Sequence, residues 1–223
     1  MTRARLLERI GLACGIVGPL WWGVMIAWCA SRFPGYSHAT DFISELAARE
    51  APTAGLMRVA GFYVTGVLYV LFAAAGAWRL RAHPLALAGM ALVALSGAAR
   101  IGAGHFPCEP GCDPTIISRV QEWHHAYARA GYVLMMLAAL LVGFGTRREP
   151  RLSHLLAGGI GVTIWTAVVL FYMEFSEGWA GVFQRLASAL LSGWVLVCAA
   201  SLWREASPSP AAVPAPGSRR SRA

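Results

Sequence analysis

The sequence predicts an all-α, polytopic integral membrane protein, a bundle of six transmembrane helices with N-terminus and C-terminus both cytoplasmic. Three observations predict it. Hydrophobic residues make up 57% of the chain and charged residues 13%. Apolar runs recur that are long enough to cross a hydrocarbon core of ~30 Å as helices, and the short alternating segments of a barrel are not visible. The basic residues are all Arg, and the groups of arginine fall at alternate connections between the runs, as a set on one side does.

The first run, Ile10–Ala30, follows Arg3, Arg5 and Arg9. With Cys29-Ala30-Ser31 behind it, it mimics a secretory signal, but it exceeds a usual signal core, so an uncleaved span is expected. The second, Met57–Trp78, is followed by Arg79 and Arg81, and the third is Pro84–Ala103. The fourth, Ala126–Phe144, is separated from the fifth, Leu155–Tyr172, by Arg147, Arg148 and Arg151. The sixth, Ala180–Leu202, is followed by Arg204, Arg219, Arg220 and Arg222. Arginine-rich segments stay on the cytoplasmic side, which places both termini inside a cell membrane crossed several times. Residues 1–205 are thus read as the membrane domain. Residues 206–223, rich in Pro, Ser, Ala and Arg, hold too little apolar content to fold and are expected to form a disordered cytoplasmic tail.

Of the eleven acids, only Glu8, Glu149 and Glu205 share the arginine-rich side. Asp41, Glu45, Glu50, Glu109, Asp113, Glu122, Glu174 and Glu177 fall in outer loops or at outer helix ends. The net charge of +8 is therefore a signal of topology. Nucleic-acid binding needs a basic stripe with groove-reading or stacking partners, and is set aside.

Cys14, Cys29 and Cys198 lie in or beside spans and read as packing residues. Cys108 and Cys112 bracket Glu109-Pro110-Gly111 in an outer loop, where oxidation is permitted and a Pro-Gly turn can bring two sulfurs together, so a disulfide is expected. A redox or metal-binding pair is the alternative, although the usual redox spacing has two intervening residues and this has three.

Pro34-Gly35-Tyr36-Ser37, Phe42 to Ala48, Ala51-Pro52, the stretch His105-Phe106-Pro107-Cys108-Glu109-Pro110-Gly111-Cys112-Asp113-Pro114 and the histidine opening the fourth span together resemble a bacterial and archaeal membrane family, domain of unknown function 998. The resemblance covers about Ile10 to Leu202. It implies the same six-span architecture in a bacterial inner membrane and brings no activity with it. Glu109 stands where the family commonly has Asp, so an acid is kept.

Arg58, Arg100, Arg129 and Arg185 lie near the outer ends of four different spans. Ionised groups inside a span are costly, so they face the bundle or a wet cavity and have partners. Glu122, His125 and Arg129 stand at i, i+3 and i+7, and Ser96, Arg100 and Gly104 at i, i+4 and i+8, each set a stripe down one helix face. Gly181, Arg185, Ser188 and Ser192 repeat the pattern, and Arg58, Thr65 and Tyr69 add a fourth face. These stripes predict one shared, outward-opening vestibule. A short helix from Phe42 to Arg49, capped by Asp41 or Thr40, is expected to lid it, with Asp41, Ser44 and Glu45 turned toward its mouth. The bland reading of those three is capping, with Glu45 paired to an arginine.

Several chemistries fit. A zinc-dependent membrane hydrolase could use His105, one of His124 and His125, and a carboxylate from Glu45, Asp113 or Glu122, with His105, His125 and Glu122 as the first set. Adjacent histidines point about 100° apart on a helix, so only one would coordinate. A binder or transporter of an anionic ligand, such as a lipid headgroup, would use Asp41, Ser44, Glu45, Arg58, Arg100, Arg129, Glu174 and Arg185, the arginines as donors and the acids holding them in place. A third reading is a salt-bridge network in a structural or partner-binding protein. A haem held by His105 and His125 is a fourth. No catalytic residue, substrate or oligomeric state is assigned by the sequence.

Overall fold

The computed structural model describes residues 2–113, 115, 116, 118–176 and 178–206. Six helices in it are long and apolar enough to cross a membrane: α1 Arg3–Ser31, α2 Ala54–Arg79, α3 Pro84–His105, α4 Arg119–Thr146, α5 His154–Phe175 and α6 Ala180–Ala206. Among the described residues there is no strand. Each predicted apolar run sits inside one of these helices, which continue past it into polar sequence. The largest extension is at α4, which begins at Arg119 because the Ser118 hydroxyl accepts from the Gln121 backbone N–H at 3.1 Å and caps the helix. Residues 207–223, most of the expected tail, and Glu177 lie outside the described residues, and Ala206 is the last residue of α6.

Six spans place the start of α1 and the end of α6 on one face, the terminal face, and the described residues of 32–53, 106–118 and 176–179 on the other, the loop face. Each helix packs against its neighbours in the chain, and α6 packs on α1 to close a ring. Lipid supplies no hydrophobic drive between helices, so close backbone approach must hold the ring together. Gly66 on α2 and Gly97 on α3 show this directly. A Cβ on Gly66 would stand 2.6 Å from the Gly97 carbonyl oxygen, and one on Gly97 would stand 2.7 Å from that of Gly66.

Large side chains fill the terminal half of the ring, among them Leu12, Phe72, Met90, Val142 and Leu202, all fully buried. At the terminal face the three acids of that side are paired. Arg79 stands 4.0 Å from Glu8 and 3.9 Å from Glu205, Arg151 is 3.6 Å from Glu205, and His83 is 3.6 Å from Glu149. Arg79 also donates to the Glu205 backbone carbonyl at 2.6 Å, which ties the end of α2 to the end of α6.

The loop half is closed differently. A 3-10 turn, Ile43–Ala47, replaces the α-helix expected from Phe42 to Arg49. The expected caps do not cap it. The Asp41 carboxylate turns back to accept from the Ser37 N–H at 2.8 Å and the Thr40 hydroxyl at 2.6 Å. The Phe42 N–H is instead satisfied by the Glu45 carboxylate at 2.8 Å. Ile43, Leu46 and Ala47 are buried in a cluster with Trp22, Met57 and Phe62, so the turn is a packed plug in the ring.

Candidate functional site

Beneath that plug, between the loop face and the packed terminal half, lies a cavity of about 80 Å³. Side chains from five of the six helices and from the 3-10 turn line it. Its polar inventory is unusual for a membrane interior, because it contains a guanidinium and an imidazole but no carboxylate.

Arg100 supplies the guanidinium. It sits on α3 roughly 7–8 Å below the loop end of that helix at ~1.5 Å per residue. Its contacts are aromatic faces: the Trp22 ring centroid is 4.2 Å from the guanidinium carbon and that of Tyr69 is 5.3 Å away. Among the described residues nothing accepts a hydrogen bond from it and nothing forms an ion pair with it. Cation–π contacts stabilise a guanidinium by ~0.5–2 kcal/mol and leave its five in-plane N–H donors unused.

His124 supplies the imidazole. It is 3% exposed, and its Nδ1 lies 2.9 Å from the Ala103 carbonyl and 2.8 Å from that of Phe106, at the loop end of α3. Two carbonyls can only accept, so Nδ1 carries the proton, and Nε2 is the ring's acceptor. Ser44 reaches the same cavity from the 3-10 turn, as does Gln184 from α6. Because the Gln184 Oε1 accepts from the Ile43 N–H, its amide nitrogen retains two donors.

The remaining wall groups tie helices together. Trp22 donates to the Ser188 hydroxyl at 2.9 Å, Tyr69 to that of Ser192 at 3.3 Å, and Ser96 to the Gly131 carbonyl at 2.9 Å. At the start of α2 the backbone runs as a π-helix from Met57 to Tyr63. Wide turns of this kind leave carbonyls poorly paired. Trp21 on α1 donates to the Ala60 carbonyl at 2.6 Å, and Phe62, within the same stretch, forms part of the cavity wall.

The disulfide lies within the second loop and packs against the first. Cys108 and Cys112 are bonded and buried with Ala48, against Phe42 and Ala51. The Ser44 hydroxyl oxygen is 3.4 Å from the Cys112 sulfur, and the Arg49 N–H donates to the Cys108 carbonyl at 3.1 Å.

The expected vestibule is thus divided, and the four arginines do not meet. Arg100 alone of them lines the cavity. Arg58 caps α3, its Nε donating to the Gly104 carbonyl at 2.9 Å and its terminal nitrogen lying 3.5 Å from the carbonyl of His105. Arg185 straps the first loop to α6, donating to the His38 Nδ1 at 3.1 Å, to the Asp41 and Gly181 carbonyls at 2.8 Å each, and to the Tyr36 hydroxyl. Burial first, and then the charge of Arg185, hold the His38 pKa low, which suits an imidazole accepting from a cation. Burial pushes the Tyr36 hydroxyl up to about 12 against the opposing pull of Arg185. Arg129, Glu122 and Glu174 are exposed on the outside of the bundle. A long arginine stem can carry its charge along the outer surface toward water, so an exposed position requires no internal partner.

The candidate metal set is also spread out. His105 is exposed and packs edge-on against Phe106, while the His125 Nε2 lies 3.4 Å from the Gln121 amide. Glu122 is exposed, and among the described residues no three His, Cys, Asp or Glu side chains converge. Of the adjacent histidines, the alternative to His125 as a candidate ligand, His124, faces the cavity. Its stripe, Gln121, His124, Ala128, Gly131 and Met135, was legible as a run of small and uncharged residues one step round from Glu122, His125 and Arg129. Trp22 left no such signal.

The family model described as protein of unknown function (DUF998) matches residues 16–201, and the chain belongs to that family. The matched segment takes in every residue of the cavity wall. No curated protein and no solved structure matches the chain.

Proposed function

We propose that this multi-pass protein recognises an anionic ligand, a carboxylate or phosphate group, in the cavity beneath the 3-10 turn. One observation carries the reading: Arg100 projects a guanidinium into a chamber whose lining holds no carboxylate, and no described residue accepts from it. A fixed charge in a low-dielectric wall is costly unless an anion or water meets its donors, and the planar fork suits a two-oxygen acceptor. The Gln184 amide and the Ser44 hydroxyl add neutral donors, and the His124 Nε2 accepts from a protonated or hydroxylated ligand. The arginine alternation supports placing the cavity on the outer side of a bacterial cytoplasmic membrane, with both termini inside.

The salt-bridge reading suits the terminal face, where Arg79 and Arg151 have their acids. It does not account for Arg100. The test is thermal unfolding of the detergent-solubilised protein titrated with inorganic phosphate and with acetate. Wild-type protein is stabilised by one of these anions in a saturable way, and Arg100→Gln is not. Equal stabilisation of both proteins would overturn the assignment.

A further inference from the structure

A second space adjoins the cavity. It runs between α1 and α6, with about 470 Å³ of room for water centres against about 80 Å³ in the cavity. Its walls are almost wholly apolar, with Pro19, Gly23 and Ile26 on α1 and Ala189, Gly193 and Leu196 on α6. Gly23 and Gly193 would meet nothing within 4 Å if each carried a Cβ, so these two glycines leave the groove wide. Along α6 it extends from Arg185 to Leu196, about 16 Å at ~1.5 Å per residue, within the apolar depth of the span.

Groove and cavity share a wall. Trp22, Ile43, Ser188 and Ser192 line both spaces. The Trp22 indole lies over Arg100 on one side and holds Ser188 through its N–H. The Trp22 ring and its bond to Ser188 are therefore part of the wall between an apolar groove and a guanidinium. Pro19, in the α1 turn that precedes Trp22, lacks an N–H and removes one rung of the helix there, which eases movement of the upper part of α1 away from α6.

We infer that the ligand is an anionic lipid that enters sideways from the bilayer, its acyl chain lying in the groove between α1 and α6 and its headgroup passing Trp22 to reach Arg100. This rests on the anion-binding reading of the cavity and names the class of ligand. Charge and polarity agree with it along the path: an apolar channel at chain depth, then a cation whose donors have no protein acceptor. His38 and Arg185 stand at the loop end of the groove, where their bonds hold the first loop down, and the open side between α1 and α6 is the approach the inference uses.

The experiment pairs two probes that share a headgroup. Wild-type protein, Gly23→Leu/Gly193→Leu and Arg100→Gln are purified in detergent and titrated with palmitoyl-oleoyl phosphatidic acid and with inorganic phosphate, and binding is read by native mass spectrometry and thermal shift. Filling the groove displaces several methylenes of chain, so lipid affinity falls at least about tenfold while phosphate binding is unchanged. Arg100→Gln loses both. Unchanged lipid affinity in the groove-filled protein, with Arg100→Gln losing both probes, overturns the lipid route and leaves the anion site standing. Undiminished binding of both probes to Arg100→Gln overturns both. Retained phosphate binding certifies that the double variant is folded, and the single change Gly193→Phe repeats the test if it is not.

Discussion

The Arg100 guanidinium lies 4.2 Å from the ring centroid of Trp22, whose indole N–H is held by Ser188 on α6. One residue of α1 therefore covers a cation of α3 and anchors itself to a third helix. Trp22→Phe removes the N–H and keeps a π face, whereas Trp22→Leu removes both. The difference between the two isolates the ring's hold on Arg100. Leu is expected to unfold earlier than Phe, by ~0.5–2 kcal/mol beyond their difference in packing, in thermal unfolding in detergent. Equal stability would mean that the ring contributes bulk alone.

Arg185 and Arg129 are expected to behave oppositely. Arg185 donates to four acceptors across the first loop and α6, and its loss leaves carbonyls of Asp41 and Gly181 without that donor. Arg185→Ala is expected to cost ~1–3 kcal/mol, and Arg185→Lys to recover only part, since a point charge cannot span a planar fork of acceptors. Arg129 is exposed with no bonded partner among the described residues, so Arg129→Ala stays within ~0.5 kcal/mol of wild type. In a double-mutant cycle, Arg129 and Glu45 are expected to be additive within ~0.5 kcal/mol.

Those two arginines show what the sequence made legible. Hydropathy and arginine alternation reveal six spans because both act over whole segments, and single-residue errors average out. Which face of α4 points inward depends on one step of about 100° round the helix. Charge there misleads, because Glu122 and Arg129 reach water on the outside as readily as a cavity on the inside. The inward stripe of Gln121, His124 and Gly131 is marked by small or uncharged residues, the usual sign of close packing between membrane helices. Arg100 differs from Arg129 in having rings from α1 and α2 around it, and only the closure of the ring brings those together. Asp41 likewise falls where expected in the chain, but its backbone carbonyl, and not its carboxylate, meets Arg185. A residue type says nothing about its own main chain.

Glu45 gives a pH dependence. Burial raises its pKa above the ordinary 4.5, opposed by its bond to the Phe42 N–H, while Asp41 raises it further and Arg185 pulls it down. A folded-state pKa above the unfolded value means the folded protein binds more protons, so stability is lost as pH climbs from 4.5 through the folded value. Gln keeps an oxygen for Phe42 and carries no charge. Glu45→Gln is therefore expected to melt higher than wild type at pH 7, with the gap closing below pH 4.5. The difference between the two melting curves cancels the titration of every other carboxyl. A constant gap across this range would show that Glu45 is ionised equally in both states.

The disulfide and the sidedness of the loop face are tested by one labelling experiment. Cys14, Cys29 and Cys198 are buried in the spans, so the thiols that reductant exposes at a loop surface are those of Cys108 and Cys112. Both are buried against the plug, and the bond closes a short loop, a constraint worth about 2 kcal/mol on the chain-entropy model. In intact cells an impermeant maleimide is expected to leave the protein unmodified, and to label Cys108 and Cys112 after a permeant reductant has been applied. If labelling after reduction also required disruption of the membrane, the loop face and the cavity beneath it would be cytoplasmic, against the arginine alternation. Labelling before reduction would show that the two sulfurs are free, and Ser44 would then border two thiols in the roof of the site.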